Sequence, residues 1–234
     1  MLVAKNLGKC FKSKKTGDKW GVKDVNFVAQ PGEVIALLGR NGAGKSTLMR
    51  LLANIINPTT GTVEVTGDHK HKVQLLTPAD NLFKELTVEE TLRYFAALYE
   101  LSAIETETAI KVVVARFNLT EFFHKKVGSL STGMKQRVSL AKTFLVDPAV
   151  IMLDEPTAGL DIESSYRLIR IINDIRSLGK IVIVSTHNMS EAHQIATRVL
   201  MLEQGSLICD LAFEEFDALG DSLESSYMKK LEEA

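Results

Sequence analysis

The segment Gly39-Arg40-Asn41-Gly42-Ala43-Gly44-Lys45-Ser46 has the spacing G-x-x-x-x-G-K-S, and these residue types in this order suit a polyphosphate. Glycines let successive backbone N–H groups converge on an anion, and a helix starting at the end of the loop adds the positive end of its dipole. The Lys45 ammonium is placed to reach the β- and γ-phosphates, and the Ser46 hydroxyl to hold Mg²⁺. Thr47 extends the run of residues expected around the phosphates.

A second chemical element is Val150-Ile151-Met152-Leu153-Asp154-Glu155-Pro156, an apolar run that ends in two carboxylates. Phosphoryl transfer at such a site uses one carboxylate to hold Mg²⁺, directly or through water, and another group to orient and deprotonate the attacking water. Asp154 fits the first role and Glu155 the second. A third element, Ser185-Thr186-His187, follows the apolar run that ends at Val184. His187 there is a candidate sensor of the γ-phosphate that also positions Glu155 and the water.

These groups need a scaffold that brings strand ends together. Val34 to Leu38, Val150 to Leu153 and Ile181 to Val184 are Val/Ile/Leu runs without alternation, as expected for parallel strands buried on both faces. Each is followed by polar residues, which gathers the chemistry at the carboxyl ends of the strands, where open α/β sheets bind ligands. Val73 to Leu76 is a further strand, and Leu48, Leu51, Leu52, Ile55 and Ile56 form the apolar stripe of a helix after the loop. By contrast, Thr62 to Thr66 alternates, and Leu200-Met201-Leu202 and Leu207-Ile208 flank a hairpin signal at Glu203-Gln204-Gly205-Ser206. An antiparallel flank on a mostly parallel core is expected. Between Glu89 and Val127 the apolar residues Leu92, Phe95, Ala96 and Tyr99, then Ile110, Val113, Val114 and Phe117, fall at helical spacing and define a helical insert. Leu223, Tyr227 and Leu231 make a last helical stripe in an acidic tail, expected to pack on the body without chemistry of its own.

Composition narrows the function classes. With 234 residues, 45% hydrophobic content and 28 basic against 29 acidic side chains, the chain reads as an ordinary globular protein and lacks the basic excess of a nucleic-acid binder. The cluster Lys12, Lys14, Lys15 and Lys19 is short and reads as a solvated loop. Cys10 and Cys209 have no metal-type spacing and read as inert thiols of a reducing compartment. The longest apolar runs fall far below the ~20 residues needed to span a bilayer. The amino terminus begins with strand-like sequence rather than a signal peptide, so an intracellular location is expected.

Leu130-Ser131-Thr132-Gly133-Met134-Lys135-Gln136-Arg137 resembles the signature motif of ATP-binding cassette (ABC) ATPases. The other motifs of that family appear in order: Asp154-Glu155 as its Walker B carboxylates, Ala158-Gly159-Leu160-Asp161 as its D-loop, and His187 as its switch histidine. The resemblance covers nearly the whole chain and implies one P-loop ATPase domain of α/β class, with residues 1–80 and 146–234 as nucleotide-binding core and 81–145 as helical signature subdomain. It implies ATP and Mg²⁺ as ligands and a sandwich of two copies, or of this chain and a homologous ATPase subunit. In that sandwich Ser131 and Gly133, at the start of a helix in one subunit, meet the γ-phosphate bound by the other's Lys45, and Asp161 of the D-loop belongs to the implied nucleotide-binding residues. Phe11 resembles the family's adenine-stacking aromatic, with Trp20 as substitute platform. Thr132 and Met134 depart from the family's usual glycine and glutamine. The family's Q-loop glutamine falls on Pro78, with Gln74 inside the strand before it and Asp80 nearby, so no glutamine is assigned to catalysis. The Thr132 to Arg137 version of the signature, with this altered Q-loop, is similar to ABC-2-type exporter ATPases, most closely those of Nat-type sodium exporters. This implies a separate membrane permease that carries the substrate and holds the ATPase at the inner face of the membrane. A drug, lipid or polysaccharide exporter is the alternative. A soluble repair or translation ATPase fits less well, because one cassette with no long coiled coil between Lys45 and Leu130 is present.

Overall fold

The computed structural model describes residues 1–12, 17–66, 72–77 and 82–233. Lys14, Lys15, Pro78 and Asp80 therefore lie outside the described residues. Among the described residues nine strands and eight α-helices follow one another as β1 (Leu2–Phe11), β2 (Lys19–Ala29), β3 (Val34–Leu38), α1 (Lys45–Leu52), β4 (Thr60–Val65), β5 (Val73–Leu76), α2 (Val88–Leu98), α3 (Ala103–Arg116), α4 (Thr132–Thr143), β6 (Val150–Asp154), α5 (Ile162–Ser177), β7 (Ile181–Ser185), α6 (Met189–Ile195), β8 (Arg198–Glu203), β9 (Ser206–Ala212), α7 (Phe213–Asp217) and α8 (Leu223–Glu232).

The large sheet has the order β5-β6-β7-β3-β8-β9. Its first five strands are parallel and β9 alone runs antiparallel. The non-alternating runs account for this: every residue of β3 and β7 is buried, because helices cover both faces of the sheet. The hairpin expected around Gln204 forms, with Gln204 at φ 48° and Gly205 at φ 85°, the two left-handed residues of a tight hairpin turn. Its first strand differs from expectation. β8 belongs to the parallel core rather than to the antiparallel flank, since Val199, Leu200, Met201 and Leu202 are buried without alternation. The flank is a separate sheet, β2-β1-β4, in which the alternating Thr62 to Val65 segment pairs with β1.

Helix α1 lies between the two sheets. Leu48, Met49, Leu51 and Leu52 share one core with Leu2, Leu7, Val22 and Phe27 of the small sheet and with Ile35 and Leu37 of the large one. The expected stripe is cut short, because the helix ends at Leu52. Asn54 takes a left-handed φ of 56°, its N–H donates to Leu51 O, and the Ile55 N–H donates to Arg50 O at 2.9 Å. This satisfies the last carbonyls in a Schellman arrangement and turns Ile55 out to 61% exposure.

The helical insert resolves into α2 and α3, each begun by a capping box, Thr87 with Glu90 and Ser102 with Glu105. Leu92, Ala96, Ile110, Val113 and Phe117 pack with Val138 and Leu140 of α4 in a second core that continues under the large sheet to Ile151 and Val182. The tail stripe packs as expected on a third core containing Ala36, Val199 and Phe216. Cys10 and Cys209 are free, and burial pushes the Cys209 thiol up to about 11, which keeps it protonated and inert. Among the described residues no helix is long and apolar enough to cross a membrane.

Candidate functional site

The Gly39–Ser46 loop joins the carboxyl end of β3 to the amino end of α1, with Gly44 as the helix N-cap at φ 113°. A side chain at Gly44 is excluded twice. The positive φ disfavours it, and a Cβ there would stand 2.3 Å from Gly21 O of β2. The loop is thus wedged against the small sheet by a glycine pair, of which Gly21 was not singled out from the sequence. Lys45 is buried, and its Nζ donates to Gly39 O at 2.6 Å and Arg40 O at 3.2 Å. Burial pulls its pKa below the ordinary lysine value, while the nearby Glu155 and Asp154 charges oppose that shift.

Asp154, at the end of β6, is held from two sides. Ser46 Oγ donates to its Oδ2 at 3.1 Å, and Ser185 Oγ of β7 donates to its Oδ1 in a short contact. A hydroxyl and a carboxylate meeting at one point form a hard-oxygen donor pair that fits a Mg²⁺ completing its shell with phosphate and water. Glu155 follows with a left-handed φ of 49°. Its N–H donates to Ser185 O at 3.0 Å, and its Oε2 lies 2.8 Å from His187 Nδ1. The carboxylate is thereby turned off the strand toward the open end of the sheet.

Phe11, Lys19, Trp20, Gly21, Asn41, Gly42, Gly44, Lys45, Ser46, Thr47, Asp154 and Glu155 line a cleft of about 540 Å³, within the size range of small-molecule sites. Both candidate aromatic platforms, Phe11 and Trp20, stand on its wall. Lys19, read from the sequence as part of a solvated loop, also faces it. Gly39, Arg40, Asn41, Glu155, Ala158, Thr186 and His187 line an adjoining cleft, joined there by Tyr227 of α8. The tail that carried no chemistry in the sequence therefore reaches the rim of the site. Ala43 is buried beneath the loop.

Ser131, Gly133 and Asp161 are brought together elsewhere, around a third cleft that contains no residue of the Gly39–Ser46 loop. Ser131 caps α4, its Oγ accepting from the Met134 N–H. Asp161 caps α5 by accepting from the Ser164 N–H at 2.8 Å and the Ser164 hydroxyl at 3.0 Å, contacts that lower its pKa. A Cβ on Gly133 would stand 2.3 Å from Ser164 Oγ, so glycine there lets α4 and α5 approach. Gln74 does not enter the site from β5; its Oε1 accepts from the Tyr99 hydroxyl at 3.0 Å.

A phosphate-binding loop on a parallel sheet, with a hydroxyl–carboxylate pair and a second carboxylate beside it, defines a P-loop nucleoside-triphosphatase. Residues 22–158 match the ABC transporter family. The chain is 32% identical over 242 residues to the ABC transporter ATP-binding protein NatA of Bacillus subtilis, spanning 99% of this chain and 98% of the relative. It is 34% identical over 205 residues to the Nod factor export ATP-binding protein I of Burkholderia lata, covering 84% and 67% of the two chains. A solved ATP-binding subunit of an ABC transporter has a TM-score of 0.82 at 27% identity over 99% of both chains. The chain belongs to the ABC transporter family, as an ATP-binding subunit of the exporter type, and is an ATPase.

Proposed function

We propose that this chain powers export of Na⁺ through a separate membrane permease, with two copies, or one copy and a homologous subunit, closing around two ATP molecules. The observation that carries the two-subunit reading is the separation within one chain of Ser131, Gly133 and Asp161 from the cleft of Lys45, Ser46 and Asp154. A second chain supplies the missing wall, with the amino end of α4 facing the γ-phosphate. In this reading Phe11 carries the adenine, the Gly39–Thr47 backbone and Lys45 take the phosphates, and Ser46 with Asp154 hold Mg²⁺, which supplies charge neutralisation when bound. Glu155 orients the water and accepts its proton. His187, engaged with Glu155 through Nδ1, meets the phosphate through Nε2. ATP closes the pair and drives the permease, and hydrolysis resets it. Attached to its permease, the chain works at the inner face of the membrane, and residues 81–145 form the lobe that meets the permease.

The sodium reading rests on the Thr132 to Arg137 form of the signature and on the nearly full-length similarity to NatA. The Nod factor export relative supports the alternative of a larger substrate, a drug, lipid or polysaccharide. Tagged Glu155→Gln protein, recovered with ATP from solubilised membranes of its own host, is expected to bring down one polytopic membrane protein in near-stoichiometric amount. ATP-dependent ²²Na⁺ efflux from vesicles holding both proteins then separates the sodium exporter from the alternative. Recovery of ribosomes or DNA-repair proteins in place of a membrane protein overturns the transporter reading.

A further inference from the structure

Glu191 is a buried carboxylate with no part in the site as described. It sits on α6 with 2% exposure, and its Oε1 is buried without a hydrogen-bond partner among the described residues. Burial, first, and the charge of Glu155 raise its pKa, against the hydroxyls of Thr186 and Thr157 and the neighbouring His187. Such a group is costly to bury, and an apolar side chain of similar size would avoid the cost. What it provides is a pair of contacts at its other oxygen. Oε2 accepts from Thr186 Oγ1 at 2.6 Å and from Thr157 Oγ1 at 3.1 Å.

The positions of those two hydroxyls matter. Thr186 immediately precedes His187, and its Oγ1 also accepts from the Asn188 N–H at 3.0 Å, while Asn188 Oδ1 accepts from the Glu191 N–H at 3.2 Å. The switch segment from Thr186 to Glu191 is thus a closed ring of hydrogen bonds. Thr157 lies two residues after Glu155 and opens the turn in which the Leu160 N–H donates to Thr157 O, directly before Asp161. One carboxylate oxygen ties both loops that carry Glu155, Asp161 and His187.

We infer that Glu191 is a positioning residue for hydrolysis, locking the Glu155–Asp161 turn to the His187 loop so that the two move as one unit. This rests on the reading of Glu155 and His187 as the hydrolytic pair. Both hydroxyls converge on a single acceptor oxygen, so the role requires an oxygen there and no negative charge. A glutamine can supply it and a leucine cannot.

The test is steady-state ATPase kinetics and calorimetric ATP binding on the full chain, with Glu155→Gln run in parallel. Glu191→Leu is expected to lower kcat at least about tenfold, the scale of a small misplacement of reacting groups, with ATP affinity changed less than about twofold. Glu191→Gln is expected to stay within about threefold of the parent, and adding Thr186→Val to Glu191→Leu to cost less than the two single effects combined. Equal losses in Glu191→Gln and Glu191→Leu overturn the positioning role in favour of a charged one, and an unchanged kcat in Glu191→Leu overturns it outright. Should Glu191→Leu fail to fold, Thr157→Val and Thr186→Val carry the same expectation, a lower kcat at constant affinity, and an unchanged kcat in both overturns it. Hydrolysis retained by Glu155→Gln identifies the failure as that of the underlying site reading.

Discussion

His187 Nδ1 lies 2.8 Å from Glu155 Oε2 although the two residues follow different strands, because β6 and β7 are parallel neighbours paired through Asp154 and Ser185. Adjacent parallel strands end side by side, so the residues just past their ends meet. Glu155→Gln keeps the shape of this pair and removes the carboxylate's charge, and with it the general base of the proposed mechanism. It is expected to bind ATP, to accumulate as an ATP-dependent dimer in light scattering, and to lose hydrolysis by about 10²-fold or more. His187→Ala should lose turnover on a similar scale. Only monomer under these conditions would count against the sandwich.

Lys45 spends its buried ammonium on two loop carbonyls, Gly39 O and Arg40 O. Phosphate offers a stronger, charge-assisted acceptor at the same place. Lys45→Ala is expected to weaken ATP binding by about 10- to 100-fold in titration calorimetry, in line with the 1.5–3 kcal/mol of a charged hydrogen bond. Unchanged affinity would remove Lys45 from the phosphate site.

Ser185 is fully buried and its hydroxyl contacts Asp154 Oδ1 while accepting from the Glu155 N–H at 3.3 Å. It orients the carboxylate from behind, as outer-shell groups do for metal ligands. Ser185→Ala is expected to raise the Mg²⁺ concentration for half-maximal ATPase activity by about tenfold. Loss of one buried hydrogen bond should cost about 1 kcal/mol in urea unfolding. An unaltered Mg²⁺ dependence would leave Ser185 a packing residue only.

The raised pKa of Glu191 makes stability pH-dependent in a definite direction. Between its ordinary value of 4.5 and its higher folded value the native state holds more protons than the unfolded state, so the penalty grows as pH rises through that window and is complete above it. Glu191→Gln removes the ionisation, so its melting temperature should gain on the parent's from pH 4.5 upward and level off at higher pH. A difference independent of pH would contradict the burial of an ionisable Glu191.

Trp20 is the single tryptophan of the chain and lines the same cleft as Phe11 and the phosphate loop. ATP is expected to change its emission. If Phe11 is the adenine platform, Phe11→Ala should weaken ATP several-fold while leaving inorganic triphosphate binding unaltered, since stacking is worth about 1–3 kcal/mol. A loss seen instead in Trp20→Leu would transfer the platform to Trp20.

The chemistry of this protein is legible in its sequence where motif and scaffold are contiguous. The phosphate loop follows its strand directly, and the runs Val34–Leu38, Val150–Asp154 and Ile181–Ser185 are strands because unbroken β-branched and aliphatic stretches fit a sheet covered on both faces. The extent of α1 was less legible, since its stripe continues past Leu52 and only the left-handed Asn54 ends it. Tertiary structure alone decided the rest. Gly21 supports Gly44, Tyr227 reaches the rim beside Arg40 and His187, and Glu191 is buried against the Thr157 hydroxyl. Each depends on segments far apart in the chain that meet only when the small sheet covers α1, α6 packs on β3, and α8 packs on α6 and β9. No local pattern of residues encodes a contact whose partner is set by the packing of another element.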